Sequence, residues 1–195
     1  MKTLICLALL LFASAANCQQ YEFEPSNEHP FGRINPEAPA ELADFDPLIG
    51  RCDCKSVARI DINNWADTLN MSWTFKYIMN GTAVQDETLK PDGVHSGSIR
   101  QYNADSSRWY VHYYSSGSPV ANLPSWEGGK AEDGNIVLYR EQNAPNGMEG
   151  FFKIIFSDIT QKGFNWSGAW VNAEETIVYP TWLIFCKRSD QRSNY

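Results

Sequence analysis

The sequence predicts an all-β domain, a closed antiparallel up-and-down β-barrel of about ten strands with a short N-terminal helix in front. Three observations carry this expectation. From residue 51 onward, short runs rich in β-branched and aromatic residues follow one another. Explicit turn pairs separate them: Asn80-Gly81, Asp92-Gly93, Asp133-Gly134, Asn146-Gly147 and Lys162-Gly163. Asn-Gly and Asp-Gly suit hairpins because both central residues tolerate positive φ. Finally, no helical pattern remains to cover a sheet face, so closure is the way to bury the apolar side and remove the edges.

Taken in order, the chain opens with Lys2, an apolar run from Leu4 to Phe12, and the small residues Ala13-Ser14-Ala15-Ala16. That is the three-part pattern of a secretory signal peptide over residues 1–16, and the apolar run is too short to span a bilayer. The expected location is secreted or periplasmic, with no membrane contact after cleavage. A lipid tether through Cys18 is the alternative, which Asn17 fits poorly because small residues normally precede such a cysteine. Residues 17–40 read as a flexible lead-in, with four prolines between 21 and 40 and no sustained period. Leu42, Phe45 and Leu48 then recur at helical spacing, and Gly50 ends that segment. The barrel is expected over 41–190, leaving 191–195 as a tail.

The strand candidates are RCDCKSVARI, MSWTFKYIM, TAVQDETLK, HSGSIRQYN, RWYVHYYS, ANLPSWEGG, NIVLYREQ, GFFKIIFSDI, FNWSGAWV and TIVYPTWLIFCKR. No internal repeat at a fixed period accompanies them. The formal net charge of −7 argues against nucleic acid or an anionic membrane surface as partner. Seven Trp, nine Tyr and ten Phe suit strands and can line a pocket. Asn70-Met-Ser72, Asn80-Gly-Thr82 and Asn165-Trp-Ser167 match the glycosylation sequon, which matters only in a eukaryotic secretory pathway.

The stretch FDPLIGRCDC resembles the opening of lipocalin-like (calycin) barrels, where a short helix leads into Gly-x-Trp on the first strand. Cys52 stands here in place of that Trp. WTFKYIMNGTAVQDE, GSIRQYNADSSRWYVHYY, FSDITQKGFNWSGAW and the closing WLIFCKR resemble bacterial lipocalin-like domains of unknown function over about residues 44–188. The resemblance implies that Arg188 closes the bottom of the barrel by packing over the first strand. It implies no activity.

Cys52 and Cys54 are two apart and share a strand face, as do Trp182, Ile184, Cys186 and Arg188. If Arg188 lies opposite position 52 in a closed meander, Cys54 lies opposite Cys186, and a Cys54–Cys186 disulfide would staple first strand to last. A Cys52–Cys186 bridge, unpaired thiols and a metal or redox pair are the alternatives; Cys-x-Cys with one distant Cys is weak support for metal. His112 alternates with Tyr110 and Tyr114 and is the candidate for a pocket histidine, whether hydrogen-bonded, on the surface or an axial haem ligand; no cofactor is expected.

A polar set, Gln85, Asp86, Arg100, Tyr102 and His112, could converge with Trp166 on an interior binding site. Asp86 and Arg100 could pair between consecutive strands, with Tyr102 donating a further hydrogen bond. Either they anchor a polar group of a ligand or they satisfy one another. Trp73, Phe75, Tyr77 and Met79 share one strand face, as do Phe164, Trp166 and Trp170; core is their default, an apolar cavity the sharper claim. No Gly-x-Ser-x-Gly, His-Glu-x-x-His or phosphate loop occurs, and no catalytic residue is assigned. The expected role is binding of a small, largely apolar molecule inside the barrel. An enzyme working through Asp86, Arg100 and Tyr102, or a structural domain with a filled interior, is the alternative.

Overall fold

The structure, a computed structural model, describes residues 21–189. The expected signal peptide, Cys6, Cys18 and the tail at 191–195 lie outside them. A 3-10 helix, Ala40–Leu48, precedes ten strands: β1 Gly50–Ala58, β2 Leu69–Ile78, β3 Ala83–Leu89, β4 His95–Asn103, β5 Arg108–Ser115, β6 Ser125–Lys130, β7 Ile136–Glu141, β8 Gly150–Thr160, β9 Gly163–Asn172 and β10 Val178–Arg188. Each strand pairs antiparallel with its neighbours in the chain, and β1 also pairs with β10, closing the barrel. Every backbone edge is thereby consumed.

The two faces of the wall follow from alternation along each strand. On β1, Cys52, Cys54 and Ser56 are buried while Arg51, Asp53 and Lys55 face solvent. On β2, Met71, Trp73, Phe75 and Tyr77 point inward. Met79 leaves that series, because the strand ends at Ile78 and Met79 enters the turn with φ 55°, exposed. The sixth strand starts at Ser125 rather than near Ala121, since Pro124 has no N–H to give a ladder. On β10 a bulge between Pro180 and Trp182 absorbs one residue and restores the inward series Trp182, Ile184, Cys186.

One end of the barrel is plugged by the helix. Its buried residues Leu42, Phe45 and Leu48 are spaced by three, the repeat of a 3-10 helix, so all fall on one face. Phe45 meets Trp109 edge-to-face with centroids 4.7 Å apart and Phe156 at 6.1 Å. Trp109 Nε1 donates to Asp44 Oδ2 at 3.1 Å and the Tyr77 hydroxyl to Asp46 Oδ1 at 3.0 Å, fixing the plug with polar tips. Burial first, and Asp46 second, push the Tyr77 hydroxyl far above its usual range. Arg188 lies over the same end as expected, donating to Leu48 O at 3.0 Å and to Pro47 O. Gly50 makes room for it: φ is +115°, and a Cβ there would stand 3.2 Å from Arg188 Nη1.

Residues 21–39 differ from the expected free lead-in. They form turns tied to the β2–β3 hairpin: Asn35 N donates to Gly81 O at 3.1 Å, Tyr77 N to Phe31 O at 2.8 Å, and Asn80 N to Glu24 Oε1 at 2.6 Å. Proline and turn residues hid this, because such partners are distant in sequence.

Candidate binding cavity

Up-and-down topology puts the β1–β2, β3–β4, β5–β6, β7–β8 and β9–β10 connections at the end opposite the helix. Between that end and the plug the barrel holds a cavity of about 320 Å³. Its walls are largely apolar: Met71, Trp166, Trp182 and Ile184 on one side, Leu138, Phe152 and Ile154 on the other, with Trp73, Val111 and Phe156 deeper. Lys90 of the β3–β4 connection and Pro124 before β6 also line it, so it reaches the loop end. Those loops carry exposed Ile60, Ile62, Val120, Leu123, Met148 and Ile177.

Asp86 and Arg100 form the polar floor, each only 3% exposed. Val84 pairs with Arg100 and Asp86 with Ser98, so the two side chains meet diagonally across β3 and β4. Arg100 Nη1 donates to Asp86 Oδ1, and Trp73 Nε1 to Asp86 Oδ2 at 2.6 Å. The hydrogen bond foreseen from Tyr102 thus comes from Trp73 instead. Arg100 is caged by aromatic faces, with its guanidinium carbon 5.2 Å from the Phe45 centroid, 5.1 Å from Phe75 and 5.7 Å from Phe156. The pair is occupied by its own neighbours rather than presented as a free charge.

The candidate residues do not all converge. Asp86, Arg100 and Trp166 line the cavity. Gln85 and His112 project from the outer face, opposite in parity to Asp86 and Val111; Gln85 Nε2 donates to the Tyr114 hydroxyl there at 2.7 Å. Gly97 allows that approach, since a Cβ would stand 2.8 Å from the Tyr114 oxygen. Tyr102 sits towards the plugged end, edge-on to Trp109 at 5.6 Å, and is absent from the cavity lining. The expected interior set included Gln85 and His112; alternation along β3 and β5 turns both outward instead, because Asp86 and Val111 take the inward positions.

Among the cavity residues not singled out from the sequence, an aromatic and a cation stand together. Trp126 and Arg140 both line it, with the Arg140 guanidinium carbon 4.5 Å over the Trp126 ring and 5.9 Å over Phe152. Arg140 donates to Gln142 Oε1 at 2.5 Å. Burial lowers its pKa from the ordinary value, and no carboxylate offsets that among the described residues. A signal existed: Ile136, Leu138 and Arg140 alternate on one face of their strand. Among the described residues no cluster of three or more His, Cys, Asp or Glu could hold a metal ion.

Geometry therefore defines a closed antiparallel barrel, plugged at one end, with an apolar internal cavity. The chain is similar in fold to the crystal structure of Rv2717c from M. tuberculosis, with a TM-score of 0.51 at 10% identity, covering 78% of this chain and 99% of that one. No family model matches the sequence, and no curated protein does.

Proposed function

We propose that this protein is an exported, lipocalin-like carrier that binds a small, largely apolar molecule in its interior. The cavity of about 320 Å³ carries the proposal, since it falls at the lower end of the roughly 300–1,000 Å³ of small-molecule sites. Its walls offer aromatic and aliphatic surface, and the loops around its outer end expose further apolar side chains, a setting suited to entry of an apolar molecule. The disulfide between β1 and β10 agrees with an oxidising, secreted or periplasmic setting.

Native mass spectrometry of the purified protein tests this by seeking a co-purifying small molecule. Ile154→Trp, which places a large ring in the cavity, should displace it while the barrel stays folded. Absence of any bound molecule, together with no uptake of 1-octanol by calorimetry, would defeat the proposal.

A further inference from the structure

The charge in the cavity wall is one-sided. Its charged lining residues are Lys90, Arg100 and Arg140 against Asp86, which leaves two positive charges over in a chain whose net charge is −7. Asp86 is spent on Arg100 and Trp73. The surplus therefore belongs to Arg140 and Lys90, neither of which makes a salt bridge among the described residues. Unpartnered buried donors add to this: among the described residues Trp126 Nε1 and Arg100 Nε have no hydrogen-bond acceptor, and both residues line the cavity. Buried donors without acceptors are costly and are rarely left so. Arg140 touches both themes, lying over the face of Trp126 with Gln142 as its hydrogen-bonding side-chain partner.

Resting on the carrier reading above, we propose that the ligand is a small monocarboxylate, its apolar body among Ile154, Trp166 and Ile184 and its carboxylate held by Arg140 with help from Trp126 Nε1. A carboxylate matches the planar guanidinium fork and supplies an acceptor to Trp126 Nε1, which has none among the described residues. It also carries a single charge, which an apolar cavity desolvates at far less cost than a phosphate of charge about −1.5 to −2. About 320 Å³ holds on the order of ten water-sized volumes, so an acid of about ten non-hydrogen atoms suits it.

Calorimetry with octanoate, 1-octanol, methyl octanoate and octyl phosphate tests the proposal. Octanoate should bind at least about tenfold more tightly than 1-octanol or the ester, the scale of a hydrogen-bonded charge. Arg140→Gln should remove that preference while octanol binding persists, and Trp126→Phe should reduce it severalfold with the ring retained. Equal binding of acid and alcohol, survival of the preference in Arg140→Gln, or tighter binding of octyl phosphate would each overturn the carboxylate assignment and leave the carrier standing. No binding of any of the four would overturn both.

Discussion

Cys54 and Cys186 face each other across the seam between β1 and β10, paired in register and joined by a disulfide, their Cα atoms 4.1 Å apart. The bond links the first strand of the barrel to the last across a separation of 132 residues. In the chain-entropy view, a loop of that length is worth about 5 kcal/mol, and measured losses on removing native bridges run about 2–5 kcal/mol. Cys54→Ala/Cys186→Ala should lower the urea midpoint by a corresponding amount with little change in far-ultraviolet dichroism. A loss below about 1 kcal/mol would mean that the seam's hydrogen bonds hold the closure alone.

Cys52 is buried beside that bridge and is a free thiol among the described residues, with Arg188 Nη1 3.6 Å from its sulfur. Burial raises its pKa, and Arg188 offsets only part of that. Thiolate is the reactive form, so Cys52 should resist iodoacetamide in the folded protein and react once urea unfolds it. Peptide mapping checks this; alkylation of Cys52 under native conditions contradicts the burial.

Asp86 and Arg100 are a buried pair, which is costly to break singly and cheap to replace whole. Asp86→Ala should destabilise by about 3–5 kcal/mol, because Arg100 is left charged among three phenylalanines. The double change Asp86→Leu/Arg100→Met should recover most of that. Denaturant titration of the set decides it, and equal losses in single and double variants would refute the pairing argument.

Glu175, on the β9–β10 connection, accepts from the Lys153 ammonium at 2.6 Å and the Tyr139 hydroxyl at 2.7 Å. These bonds, that to Lys153 above all, lower the Glu175 pKa below its ordinary 4.5. For Lys153, burial acts against the ammonium, but the bonds to Glu175 and Tyr139 outweigh it and raise the pKa above 10.5. A depressed carboxylate contributes stability above its unfolded pKa and loses it as pH falls through the folded one; a raised lysine contributes below its unfolded pKa and loses it as pH rises. The stability difference between the protein and Glu175→Gln should therefore be full near neutrality. It should close below the carboxylate range, and shrink again above the ordinary lysine value. The Glu175 side chain is 38% exposed, so the difference is small.

Arg188 joins the end of β10 to the plug through Leu48 O and Pro47 O. Arg188→Ala should cost about 2 kcal/mol, the scale of charged hydrogen bonds, and should loosen the helix, seen as faster amide exchange at Ile49. Arg188→Lys should recover only part, having no planar fork to span two carbonyls.

Much of the barrel could be read from the chain because its signals are local. Asn80-Gly81 and Asp133-Gly134 mark hairpins through backbone freedom of adjacent residues, and period-two alternation assigns Trp73 and Phe75 to one face. Even the Cys54–Cys186 pairing followed once strand order and the position of Arg188 were set, since register carries side chains along in fixed steps. The same logic named Asp86, Arg100 and Trp166 as interior groups. It also drew Gln85 and His112 into that set, and these face outward, since each neighbours a residue that takes the inward position.

Only the tertiary structure decided what fills the barrel. Whether ten strands pack solid or leave about 320 Å³ depends on how side chains from opposite walls meet, and no local pattern carries that sum. The same holds for partners. Asp86 takes its second hydrogen bond from Trp73 rather than Tyr102, and Arg140 lies over Trp126 with no salt bridge among the described residues, because closure fixes distances between strands far apart in sequence. Sequence set the strands and their seam; the meeting of opposite walls made the cavity and left its positive charge unanswered.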